Sequence, residues 1–186
     1  MGDTFQTIAD LDAGPRDAPL LGARVVEWLV AEGIVRAEAE VGWGLSPLPA
    51  HPPGPDWRKA VADPRWGSPD GVAVHTARHV FHSIGVPGPY VVTCPRCGQA
   101  SPAGGDLTAR LGSGMERWLA TGDVDVDCPA CAAAVPLPDW TWTEDVFALA
   151  HLGFEFWGWP ALSEEFRARL TRFLEGHRTA FLTGKI

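Results

Sequence analysis

Residues 152–160 read LGFEFWGWP and residues 177–186 read HRTAFLTGKI, with a helical pattern between them. The first stretch is aromatic and strand-like until Pro160, which lacks a backbone donor and ends the ladder. Ser163 is placed to cap a helix whose first turn carries Glu164 and Glu165, favourable at the positive end of the helix dipole. Phe166, Leu170, Phe173 and Leu174 recur at helical spacing as one apolar stripe, and Gly176 suits the exit. The tail then returns as a strand. The spacing predicts a β-α-β unit whose last strand belongs to the core.

Upstream, Asp17, Pro19 and Gly33 bracket a helix from about Ala18 to Glu32, with Leu21, Val25, Trp28 and Leu29 on one face. Residues 34–41 (IVRAEAEV) alternate enough to predict a strand. Residues 42–71 hold seven prolines, five glycines and three tryptophans, Trp43, Trp57 and Trp66. No regular ladder can run through so many prolines, so an ordered, irregular wrap over the core is expected. Short strands follow at VAV (72–74), VFHSI (80–84) and YVVT (90–93), then a short helix near Met115–Ala120. DVDVD (123–127) alternates as a strand, with Val124, Val126 and Cys128 on one face and three aspartates on the other. The fold class is α+β, one small domain with an antiparallel or mixed sheet.

Cys94-Pro95-Arg96-Cys97-Gly98 and Cys128-Pro129-Ala130-Cys131 form two CxxC knuckles in strand-like surroundings. A tight CxxC turn sets two thiolates on one side of the backbone, and two such turns supply the four soft ligands of a tetrahedral zinc ion. Redox CxxC motifs occur singly at strand-to-helix turns, and disulfides need an oxidising compartment. The knuckles stand 30 residues apart, against about 15–20 in the usual ribbon. The short helix fills the difference, giving a zinc ribbon-like insertion over residues 91–138. Four thiolates leave no open coordination position, so the expected Zn2+ is structural.

A second metal centre would have to come from His75, His79 and His82. On a helix they would share a face and suggest a metal-dependent hydrolase, but strands put His82 opposite the other two. No nucleophile elbow, phosphate loop or dinucleotide fingerprint is present. The net charge of −8 argues against a broad grip on nucleic-acid backbone. Residues 161–186 are locally basic, with five basic against three acidic side chains. No apolar run reaches the roughly 20 residues of a membrane span, and the N-terminal residues lack the pattern of a secretory signal. A cytoplasmic protein is expected.

The knuckle pair together with the FEFWGWP…GHR…GK block resembles an uncharacterised family of small bacterial proteins. The match runs over residues 72–186 and rests on Phe154, Phe156, Trp157, Trp159, Pro160, Gly176, His177, Arg178, Gly184 and Lys185. Gly158 stands where the relatives carry asparagine. The resemblance implies a bacterial protein with a structural zinc and no activity to carry over. With no catalytic constellation, the chain reads as a non-enzymatic protein that binds a protein or small-molecule partner, the hydrolase being the alternative. Trp43, Trp57, Trp66, Trp157, Trp159, His177 and Arg178 are the expected recognition surface.

Overall fold

The computed structural model describes residues 3–65, 67 and 69–186. In chain order the elements begin with strand β1 (Thr4–Asp10), helix α1 (Ala18–Ala31) and the short β2 (Ala50–His51). Strands β3 (Val72–His75), β4 (His79–His82), β5 (Val91–Thr93) and β6 (Ala100–Pro102) lead into helix α2 (Gly105–Thr121). Then come β7 (Asp125–Asp127), β8 (Ala134–Pro136), β9 (Thr141–Trp142), β10 (Phe147–Ala150), β11 (Leu152–Trp157), α3 (Glu164–Phe173) and β12 (Thr179–Lys185).

The main sheet has the order β12-β1-β11-β3-β2, every neighbour antiparallel. Strands β11 and β12 therefore run parallel to each other, as a β-α-β unit requires, but β1 lies between them. Gln6 pairs with Phe156 on one side and Thr183 on the other. One face of this sheet packs against α1 and α3 through Ile8, Phe154 and Phe156 meeting Val25, Leu29, Phe166 and Leu170. The opposite face meets the β4–β10 ribbon, where the Phe81 ring lies so close to Gly153 that a Cβ there would stand 2.2 Å from it. A side chain at Gly153 would push the two layers apart.

Ser163 caps α3 by accepting the Phe166 N–H at 3.1 Å, and Phe166, Leu170 and Leu174 are buried. Phe173, the fourth member of the stripe, is more exposed and stacks on Trp28 with ring centroids 4.5 Å apart. Asp17 sits at the N-cap of α1 without a side-chain hydrogen bond, while Pro19 occupies the first turn.

The strand expected over residues 34–41 does not form. Ile34 and Val35, adjacent in sequence, are both buried, and the AEAE run is exposed; only the bridges Val35–Pro53 and Glu40–Ala50 remain. The Pro-rich segment wraps the core as expected. Gly44 presses on the Trp157 side chain and Gly71 on Trp43. Trp66 lies outside the described residues. Helix α2 begins ten residues before its expected start, packing Leu107, Leu111 and Trp118 into a second core with Val92, Val126 and Val135. Gly114 lets this helix approach Leu137 and Val126, where a Cβ would meet them at 3.1 and 3.3 Å.

Candidate metal centre

Each cysteine pair leaves the end of a strand and turns back in the same way. Gly98 N–H donates to Cys94 O at 2.9 Å, and Cys94 N–H donates to Gln99 O at 3.1 Å. Ala132 N–H donates to Cys128 O at 2.8 Å, and Cys128 N–H donates to Ala133 O at 2.9 Å. The fifth residue of each turn is left-handed, Gly98 at φ +69° and Ala132 at φ +58°. Glycine takes that conformation freely and alanine does not.

The two turns face each other. All four sulfurs lie within 4.8 Å of one another, and Cys97 Sγ is 3.9 Å from Cys128 Sγ. Four sulfurs about 2.3 Å from one ion at tetrahedral corners stand about 3.8 Å apart, whereas disulfide sulfurs bond at about 2.05 Å. The spacing suits a shared metal ion, and none of the four is in a disulfide. Cys94 and Cys128 are buried against the second core, while Cys97 and Cys131 face outward.

The N–H groups of Cys131 and Ala130 stabilise the Cys128 thiolate and bring its pKa down to about 7, against the effect of burial. At Cys97 the Gln99 N–H also favours the thiolate, but lost solvation and the neighbouring sulfurs outweigh it and push the thiol up to about 11. Four anions this close repel one another, and a cation among them removes that opposition. Asp123, Asp125 and Asp127 are exposed beside the site while Val124, Val126 and Cys128 turn inward, as the alternation predicts.

The histidines do not converge with such a geometry. Among the described residues the four cysteines are the one group of three or more potential ligands that comes together. His75 is buried and its Nε2–H donates to Glu155 Oε2 at 3.3 Å, an oxygen that also accepts the Trp157 indole N–H at 2.9 Å. Burial opposes the Glu155 carboxylate, but these two donors outweigh it and hold its pKa below the ordinary value. The His79 ring lies tilted against His75 with centroids 4.5 Å apart, its pKa lowered by burial and then by its neighbour. His82 is exposed on the other face of β4.

The expected recognition surface is only partly at the surface. Trp157 and Trp159 are core side chains, 5% and 3% exposed, because the end of β11 and the residues just after it lie under the Pro-rich wrap. Trp159 packs edge-on against Phe156 and Trp57. Trp57 and Trp43 are half-buried, and Trp43 Nε1–H donates to Glu40 at 3.1 Å. His177 and Arg178 are not free cations. His177 Nδ1 meets Asp10 at 2.9 Å and Arg178 Nη2 meets Asp12 at 2.6 Å. Asp10, Gln6 and Glu155 hold this part of the structure together, yet no motif marks them, since each finds its partners only when distant strands meet.

No protein-family model, curated protein or solved structure matches the chain. No helix is long and apolar enough to cross a membrane.

Proposed function

We propose that this chain is a non-enzymatic binding protein in which Cys94, Cys97, Cys128 and Cys131 hold a structural zinc ion. The observation that carries the metal assignment is the mutual approach of four thiol sulfurs within 4.8 Å. All-sulfur tetrahedral sites favour zinc among common metals and leave no position for a reactive water. The ion fixes the two turns that carry the α2 core, which has only short strands of its own. A reducing, cytoplasmic setting keeps the thiols available for it.

The binding role is supported by the wrap around Trp43, which leaves Val41 and Leu45 largely exposed, at 79% and 55%. Apolar side chains held on a proline-stiffened backbone make contact area with little entropy to lose. The resemblance of the C-terminal block to small bacterial proteins is compatible with this role and assigns no chemistry.

Native mass spectrometry of protein purified without chelator, with thiol counting before and after denaturation, tests the metal. One zinc per chain with four thiols masked until denaturation is the expected result. A second metal that survives loss of Cys94 and Cys128 would overturn the non-catalytic reading.

A further inference from the structure

Beside the edge strand β12 lies a groove of about 600 Å³, within the range of small-molecule sites. The pairing Thr4–Lys185, Gln6–Thr183 and Ile8–Phe181 puts these side chains on one face of the sheet, and several of them form the groove floor. Its wall is the turn from Trp159 to Leu162, together with Arg167 from the first turns of α3. Gln6 fixes that wall. Its Nε2 donates to the carbonyls of Trp159 and Pro160, both at 3.0 Å, and its Oε1 accepts the Leu162 N–H at 2.8 Å.

The charged side chains that line this space are both cationic, and Thr4, Gln6 and Thr183 add neutral polar groups. Trp159 is 3% exposed, and its indole N–H has no acceptor among the described residues. Arg167 Nε is likewise buried without a partner, its guanidinium carbon seated 4.2 Å above the Phe181 ring. Lys185 adds an exposed ammonium at the mouth. Among the described residues no carboxylate lines the groove. Both N–H groups are closed off from solvent, so the attraction that the groove offers comes from the charges of Arg167 and Lys185. Two cations without a lining carboxylate call for a negative ligand. The volume exceeds that of a bare anion, and Phe181 and Leu162 offer surface to an apolar body.

We propose that this groove binds a small molecule carrying a carboxylate or phosphate on an apolar body, the anion held by Arg167 and Lys185 with Trp159 in the wall. The inference rests on the reading of the chain as a binding protein and is independent of the zinc.

The test follows the Trp159 indole signal by NMR, assigned through its loss in Trp159→Phe. Phenyl phosphate, benzoate and neutral phenol are titrated to about 10 mM, a range that captures weak sites. A saturable shift with one or both anions but not with phenol is expected, and which anion binds tells phosphate from carboxylate. Arg167→Met keeps the stem over Phe181, removes the charge, and should weaken binding about tenfold or more, the effect of one charged hydrogen bond. Lys185→Met should weaken it less. No anion-dependent shift, an equal shift with phenol, or unchanged affinity in Arg167→Met would overturn the groove and leave the binding role to other surfaces. Release of phenol from phenyl phosphate in the same tube would instead sink the non-enzymatic reading while supporting the groove.

Discussion

His177 Nδ1 stands 2.9 Å from Asp10 Oδ2, a carboxylate with no solvent exposure that lies 167 positions away in the chain. Asp10 Oδ1 also accepts the N–H groups of Asp12 and Ala13 at 3.0 Å each. The carboxylate thus ties the end of β1, the approach to α1 and the start of β12 into one corner.

The pairing makes stability depend on pH. The hydrogen bond that His177 donates to Asp10, against some desolvation, raises the pKa of His177 above its ordinary value. A raised folded-state pKa gives stability that is fully present below the unfolded value of about 6.5 and fades as pH rises through the folded value. Urea midpoints of the wild type and His177→Gln should differ more at pH 6 than at pH 9. An equal gap at both would mean that the imidazolium contributes nothing.

At the cysteines, Cys97→Ser should abolish stoichiometric zinc. Zinc binding contributes roughly 10–16 kcal/mol in small peptides, so its loss should melt the α2 core before the main sheet. Hydrogen exchange resolves this: amides of residues 91–142 should lose protection while those of β1, β11 and β12 keep it.

Ala132 occupies the left-handed position that Gly98 fills in the matching turn. That conformation costs an L-residue about 1–2 kcal/mol, part of it offset by the greater unfolded freedom of glycine. Ala132→Gly should raise stability by roughly 0.5–1 kcal/mol, seen as a higher urea midpoint. Gly98→Ala should lower it by a similar amount.

Gln6 answers three backbone groups that no other side chain among the described residues bonds. Gln6→Ala leaves them buried without partners, at about 1–3 kcal/mol for each group that water cannot reach. A total loss of roughly 2–4 kcal/mol is expected, measured by equilibrium unfolding. Gln6→Glu should be no better, because a carboxylate would face the carbonyls of Trp159 and Pro160.

Gly158 has φ +65° at the exit of β11. Asparagine is the side chain that tolerates this conformation best after glycine. Gly158→Asn should therefore stay within about 1 kcal/mol of wild type, with the Asp70 carboxylate moving aside. Gly158→Val should lose more, because a β-branched residue is a true outlier there.

The C-terminal unit and α1 were readable because their apolar residues keep one period and their ends carry Ser163, Pro160, Pro19 and Gly33. The knuckles were readable because four cysteines at that spacing have few other uses. Strand β1 was not, since TFQTIAD buries Gln6, Thr7 and Asp10 as well as Phe5 and Ile8. Its two faces do not separate polar from apolar, and only distant partners make its polar groups acceptable in the core. The first half of α2 was hidden by glycines that weaken helix propensity, one of which, Gly114, is there for close packing. Trp157 and Trp159 were expected at the surface, but Gly44 of the Pro-rich wrap closes over Trp157, and Trp57 packs on Trp159, contacts between segments far apart in the chain.

The place of β1 between β11 and β12 also sets the order in which the molecule can be built. A ribosome delivers β1 first of all the described strands, and the two strands that bracket it last. Until residues 152–185 have emerged, β1 has both edges open and nothing in the main sheet to pair with. Closing contacts over so long a stretch of chain is slow, and unpaired strand edges invite association with other chains. The α2 core, built from residues close in sequence, can form meanwhile, so the four cysteines can come together before the central sheet exists.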